Sequence, residues 1–262
     1  YDQEDENGEP IHLTRKLGND AVSLIEAYAE DDRPFCLNLW FQAPHNEAYD
    51  HRNRDAAEGY LPDEAFLDLY TDWTPNLERR RRWERRFSDE DIRVRVMRNY
   101  ARLITGVDDV VGRVRAALEE AGLAENTVIV FLSDNGYFLG EHGLGGKFWP
   151  HEPSVRVPMI WFDPALGAEQ RGRTRSEVAL NMDVAPTLLD YARLGEDAEM
   201  QGASVRPLLE GEKAPDWRED FYYQHLYQAY REMEEGLSLP AIPACEGVVG
   251  GRYKYFRFIR AE

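Results

Sequence analysis

Apolar positions along the chain switch between a helical period and short continuous runs. "AVSLIEAYAEDD" (21–32) carries apolar residues at helical spacing and predicts a helix, closed by Pro34. "FCLNLWFQ" (35–42) is a nearly unbroken apolar run, suited to a strand covered on both faces as in a parallel sheet. "APHNEAYDHRNRDAAEGYLP" then reads as a long loop. From Asp89 to Gly122 the helical period returns, with Ser88 as N-cap, Gly122 as the stop and a break expected near Gly106. Strands are predicted at 127–132 and 157–162, separated by a loop dense in ionisable groups. "NMDVAPTLLDYARL" predicts a helix with Pro186 in its first turn and Asp183 or Ala185 just outside it. "GVVGGRYKYFRF" predicts β structure, with Gly250-Gly251 permitting a turn or bulge. No internal repeat is visible. This alternation argues an α/β fold with a mainly parallel sheet flanked by helices.

Composition narrows the class without choosing a function. At 262 residues the chain is long enough for one large domain or a domain and a half, and 43% hydrophobic content with 12% aromatics is that of a globular protein. No stretch approaches the roughly 18 apolar residues of a membrane span. A formal charge of −18 argues against a nucleic-acid partner. "YDQEDENGEP" shows no export-signal pattern, so the compartment stays open. The two cysteines are too few for a disulfide framework, and Cys36, inside an apolar run, is expected to be a small core residue.

The candidate chemistry lies past the ends of the predicted strands, where open α/β sheets bind ligands. Asp134 and Asn135 follow strand 127–132, and His45 follows strand 35–42. Asp and Asn offer hard oxygen ligands suited to Ca²⁺ or Mg²⁺, and Gly136 allows a sharp backbone turn beside an ion. Lys147 and His45 supply positive charge or protons toward an anion. The same Ser133-Asp134-Asn135-Gly136 run also suits an ordinary turn, and His45 an ordinary loop.

These residues lie in motifs that resemble the sulfatases of the alkaline-phosphatase superfamily. The family's S-D-[HN]-G, G-E-H-G, K and E-x-S-x-R-V-P are matched by Ser133-Asp134-Asn135-Gly136, Gly140-Glu141-His142-Gly143, Lys147 and the segment Glu152 to Pro158. "RPFCLNLWFQAPH", the stretch from Tyr100 to Phe131, "NMDVAPTLLDYARL" with "QGASVRPLLEGE", and "EGVVGGRYKYFRF" also resemble family segments, in the family's order. The resemblance implies an alkaline-phosphatase-like fold, with residues 1–208 a portion of the catalytic domain and 209–262 the start of a small α+β C-terminal subdomain. It implies hydrolysis of a small-molecule or glycan sulfate ester. Asp134 and Asn135 would hold a divalent metal, usually Ca²⁺, with Mg²⁺ or Mn²⁺ as alternatives. Lys147 would contact sulfate oxygens, His45 would sit beside the sulfate and leaving oxygen, and His142 would border the pocket. Arg156 and Glu152 are expected to position the loop and strand, and Asp108 and Asp109 to be structural.

The departures are as informative. The family nucleophile, a formylglycine made within an early C/S-x-P-x-R motif, has no counterpart, because neither Cys36 nor Cys245 is followed by that proline and arginine. The family's N-terminal aspartate pair is also absent. The chain is therefore expected to be an internal to C-terminal portion of a longer protein, inactive alone, with its N-terminal half as the missing partner. Sulfatases are commonly periplasmic, secreted or lysosomal. The alternatives are a phosphonate or phosphate ester hydrolase of the same superfamily, or a catalytically silent metal- or glycan-binding homologue. Two further stretches stay open. Six arginines surround Trp83 in "LERRRRWERRF" (77–87), as a solvated face or an approach to an anionic substrate. "DFYYQHLYQAYREME" (220–234) is either packing or a wall for sugar rings.

Overall fold

The computed structural model describes residues 2–46, 59–76, 90–195, 199–212, 214–226, 229–232 and 238–259. The basic run 77–87 lies outside them. Two compact units emerge, Tyr1–Val128 with Leu139–Gly145, and Ile129–Phe138 with Gly146–Glu262.

The first unit is built on two helices. Strands Asp2–Glu4 and Pro10–His12 pair antiparallel, with the Asp5 carboxylate accepting from the Asn7 and Glu9 amides at 2.8 and 2.9 Å inside the turn. The first helix, Leu13–Ala29, starts earlier than its apolar period suggests, because the His12 side chain caps it by accepting from the Thr14 amide at 3.3 Å. Its buried residues Thr14, Gly18, Ala21 and Ile25 recur at helical spacing. That stripe faces the long helix Glu90–Glu120, and at Gly18 an added Cβ would lie 2.8 Å from a Val110 methyl. The long helix is continuous. Gly106 does not break it; the Phe66 ring packs over this position, its nearest carbon 3.4 Å from where a Cβ would stand. Gly122 ends it as expected, with φ 70° and the Leu123 amide bonding back to the Leu118 carbonyl at 2.9 Å. Asp108 and Asp109 lie on this helix, and neither enters a metal-holding group of three His, Cys, Asp or Glu side chains among the described residues.

Residues 35–42 depart from expectation. They join no ladder among the described residues, and they alternate between half-buried and exposed, with Trp40 82% exposed. Cys36 is accordingly exposed rather than a core residue, and the buried thiol is Cys245. With side chains alternating at period 2, Cys36, Asn38 and Trp40 share the face that no described residue covers.

In the second unit Ile129–Leu132 pairs antiparallel with Met159–Phe162. Asp220–His225, Cys245–Gly250 and Lys254–Phe258 form a three-stranded antiparallel sheet with Cys245–Gly250 in the centre. The predicted turn at Gly250-Gly251 is present, closed by the Gly250 amide donating to the Tyr253 carbonyl at 3.0 Å. Ala229–Glu232 and Ser238–Ile242 add a second antiparallel pair. The α/β alternation therefore stands, whereas the expected parallel pairing is not among these ladders of described residues. The composition of a strand says that it is covered, but its direction relative to a neighbour depends on a partner remote in sequence. Helix Val184–Tyr191 is led by a short turn, Asn181–Asp183, in which the Asp183 carboxylate accepts from the Leu180 amide at 2.7 Å. The unit's buried side chains include Phe138, Asp183, Thr187, Val205, Leu208, Cys245 and Val249.

Candidate functional site

Strand Ile129–Leu132 runs out into Ser133-Asp134-Asn135-Gly136, and local hydrogen bonds shape this loop. Ser133 Oγ donates to the Asn135 carbonyl at 2.9 Å, and the Asn135 amide donates to Asp134 Oδ1 at 2.8 Å. Asn135 Nδ2 donates to the Gly136 carbonyl at 2.9 Å, which leaves its Oδ1 as the end available to a cation. Asp134 is exposed and Asn135 half-buried. Two hard oxygens on successive residues, one anionic and one neutral, fit a divalent cation of the Ca²⁺ type, but they are only part of the roughly six to eight oxygens such an ion takes. No three His, Cys, Asp or Glu side chains gather as a metal-holding group among the described residues.

The loop is clamped from one side by the short helix Glu152–Val155. The Gly136 amide donates to the Ser154 carbonyl at 2.8 Å, and a Cβ on Gly136 would stand 2.2 Å from the Pro153 carbonyl oxygen. Glycine is required here by the close approach of another backbone, not by the sharp turn that the sequence suggests, since φ at Gly136 is not in the left-handed region. Glu152 is ion-paired with Lys254 of the C-terminal sheet and lies 3.8 Å from Arg156. Gly136→Ala is therefore expected to destabilise the fold by about 1–3 kcal/mol through forced backbone displacement. Urea unfolding checks this, and an unchanged midpoint would show that the loop moves freely off the helix.

From the other side comes a residue that sequence reasoning missed. Asn181 Nδ2 donates to the Ser133 carbonyl at 3.0 Å and to the Asp134 carbonyl at 3.2 Å. Its only sequence signal is a place in "NMDVAPT", two residues before the buried Asp183.

Lys147, in the same unit, is half-buried, with Nζ 5.7 Å from the centre of the Phe148 ring. Phe148 has φ 74°, a left-handed backbone that a bulky residue rarely adopts. Two contacts offset that strain. Its ring stacks on His225 at 4.7 Å with planes 3° apart, and its carbonyl accepts from the Tyr223 hydroxyl at 3.2 Å. Burial pushes the Tyr223 phenol up, so it remains a protonated donor. The aromatics at 221–225 thus supply packing that holds the segment carrying Lys147.

His45 and His142 belong to the first unit. His45 is exposed, with Nδ1 2.6 Å from the Asn46 carbonyl. His142 is also exposed, with φ 53° in the turn Glu141–Gly143. The flanking Gly140 and Gly143 have φ 102° and 70°, and Glu141 Oε2 accepts from the Leu139 amide at 2.7 Å. The structure therefore brings Asp134, Asn135 and Lys147 into one compact unit and the two histidines into the other.

The sulfatase family profile matches residues 1–194. The chain belongs to the sulfatase family. A second profile, the C-terminal region of N-sulphoglucosamine sulphohydrolase, matches residues 140–262 of this sulfatase chain. An N-acetylglucosamine-6-O-sulfatase of Bacteroides thetaiotaomicron is 43% identical over 134 residues, covering 50% of the chain and 24% of the relative. An arylsulfatase of Clostridium perfringens is 28% identical over 225 residues, covering 84% of the chain and 46% of the relative. The chain thus spans less than half the length of either relative. A protein solved with its substrate D-glucosamine-2-N,6-O-disulfate superposes with a TM-score of 0.66 at 25% identity, covering 96% of the chain and 62% of that structure. The phosphonate monoester hydrolase of Agrobacterium radiobacter superposes at 0.72 with 20% identity, covering 98% and 55%, a likeness of fold alone. Together these neighbours bear out the alkaline-phosphatase-like α/β fold expected from the motifs.

Proposed function

We propose that this sulfatase chain is the metal-and-sulfate half of an enzyme that hydrolyses sulfate esters, completed by a preceding segment that carries the formylglycine nucleophile and the remaining metal ligands. The observation that carries the reading is the clamped Asp134-Asn135 pair, with the two oxygens left to a cation, in a chain of this family. Asp134 and Asn135 would hold the ion, a hard divalent cation by the oxygen donors, and Ca²⁺ by the resemblance to other sulfatases. When bound, the cation withdraws charge from the reacting ester group. Lys147 binds sulfate oxygens and neutralises the charge that gathers on them as the ester bond breaks. His45 stands beside the leaving oxygen and gives it a proton as it departs, and His142 borders the substrate. The same preceding segment covers the open face of the run 35–42, where Trp40 is exposed. The relatives' names favour a sulfated amino sugar within a glycan as substrate.

The test is peptide mass mapping of the intact protein, followed by turnover of an aryl sulfate and an aryl phosphonate with and without chelator. A formylglycine-bearing peptide, with sulfate turnover lost on chelation and restored by Ca²⁺, is the expected result. Preferential turnover of the phosphonate would move the assignment to ester hydrolysis at phosphorus. Binding without turnover of either would leave a glycan- or metal-binding homologue.

A further inference from the structure

The buried carboxylate of Asp183 organises a rigid perch. It is fully buried and accepts from the Leu180 amide at 2.7 Å, the Ala203 amide at 2.9 Å and Arg218 Nη1 at 2.5 Å. Its main-chain carbonyl accepts from Thr187 Oγ1 at 2.6 Å, and that hydroxyl accepts from the Val205 amide at 2.9 Å. Gly202 packs so closely on this turn that a Cβ there would stand 2.0 Å from the Met182 carbonyl oxygen. The turn that carries Asn181 is therefore anchored through Asp183, by partners from elsewhere in the unit, and by the close approach of Gly202 to Met182.

From that perch Asn181 reaches the two carbonyls that bracket Asp134. One amide nitrogen carries two N–H donors, and Asn181 Nδ2 spends them on the Ser133 carbonyl at 3.0 Å and the Asp134 carbonyl at 3.2 Å. Those carbonyls belong to the peptide planes before and after Asp134. Holding both planes fixes φ and ψ of Asp134, and with them the direction of its Cα–Cβ bond. Asn181 itself is exposed, so burial does not compel these bonds. Water could satisfy both carbonyls equally well. What the side chain adds is orientation.

We infer that Asn181 is a positioning residue for cation binding, aligning the Asp134 carboxylate before the ion arrives. The inference rests on the reading of Asp134 as a metal ligand. An exposed loop that is not held must be ordered when the ion binds, and that ordering is subtracted from affinity. Partners behind a metal ligand typically change affinity by about 10–100-fold when removed. Asn181→Ala deletes both donors. Asn181→Asp keeps the shape but sets carboxylate oxygens against two carbonyl oxygens, so it should be the worse of the two.

The experiment is calorimetric titration of the intact protein with Ca²⁺, comparing wild type, Asn181→Ala, Asn181→Asp and Asp134→Ala, each also melted in chelator. The expected result is Ca²⁺ binding weakened about 10-fold or more by Asn181→Ala and further by Asn181→Asp, with melting in chelator unchanged. A purely structural role predicts the reverse, a lowered melting point with Ca²⁺ affinity within about twofold of wild type, and would overturn the inference. If Asp134→Ala also leaves Ca²⁺ affinity intact, the metal-loop reading falls with it. If Asp134→Ala alone weakens binding, only the role of Asn181 falls. Should Asn181→Asp not fold, hydrogen exchange at residues 134–136 in the chelated Asn181→Ala variant decides. Faster exchange than wild type supports the inference, and equal exchange overturns it.

Discussion

On the proposed sulfate-ester hydrolysis, Lys147→Ala in the intact protein is expected to lower turnover by about 10²–10³-fold or more, the loss seen when one charge-stabilising donor is removed from a transition state. The half-buried ammonium faces the Phe148 ring, and no described carboxylate is ion-paired with it. A ring face attracts a cation without neutralising it, so the charge remains available to an anionic substrate. Its position is secured at the next residue, where the left-handed Phe148 is held by the His225 stack and the Tyr223 hydrogen bond. Removing the ammonium leaves those contacts in place, so melting should change little. Lys147→Arg restores the charge on a different, forked geometry and should recover only part of the rate. Steady-state kinetics on an aryl sulfate, with thermal melts as the control, decide the matter. Turnover within a few-fold of wild type would remove Lys147 from the sulfate site.

The largest expected stability effect is at Asp183. Asp183→Ala leaves Arg218, itself 20% exposed, without its carboxylate and leaves two amides, Leu180 and Ala203, without their acceptor. Breaking a buried pair from one side costs about 3–5 kcal/mol, because the remaining charge stays partly desolvated. Asp183→Asn keeps one acceptor oxygen and should cost less. Urea unfolding of the three proteins measures this order. Equal stability of wild type and Asp183→Ala would mean that the turn Asn181–Asp183 is held by other contacts, and Asn181 would then lack a fixed perch.

The candidate site is unevenly legible in the sequence. Asp134, Asn135 and Lys147 lie within a short stretch whose chemistry is local, since a strand ends, the chain turns and ionisable residues cluster. Their supports are not legible. Asn181 meets the Ser133 carbonyl across 48 positions, and the Gly136 backbone meets Pro153 only because a helix returns over the loop. Glycine at 136 is visible as a requirement, but the sequence suggests a turn where the structure shows a close approach. Gly106 misleads in the same direction, suggesting a helix break where the helix runs on beneath the Phe66 ring.

Acting alone, the sequence determined what depends on neighbours in the chain: the period of the helices, the Gly122 stop, the hairpin at Gly250 and the polar turn that follows strand Ile129–Leu132. These follow from backbone sterics and side-chain spacing within a few residues. Tertiary structure decided which way strands pair, why Cys36 is exposed while Cys245 is buried, and how Asp183 and Asn181 come to brace the loop. Each of these depends on groups far apart in sequence sharing one small volume, and desolvation and hydrogen-bond partners are assigned only when the chain has closed on itself.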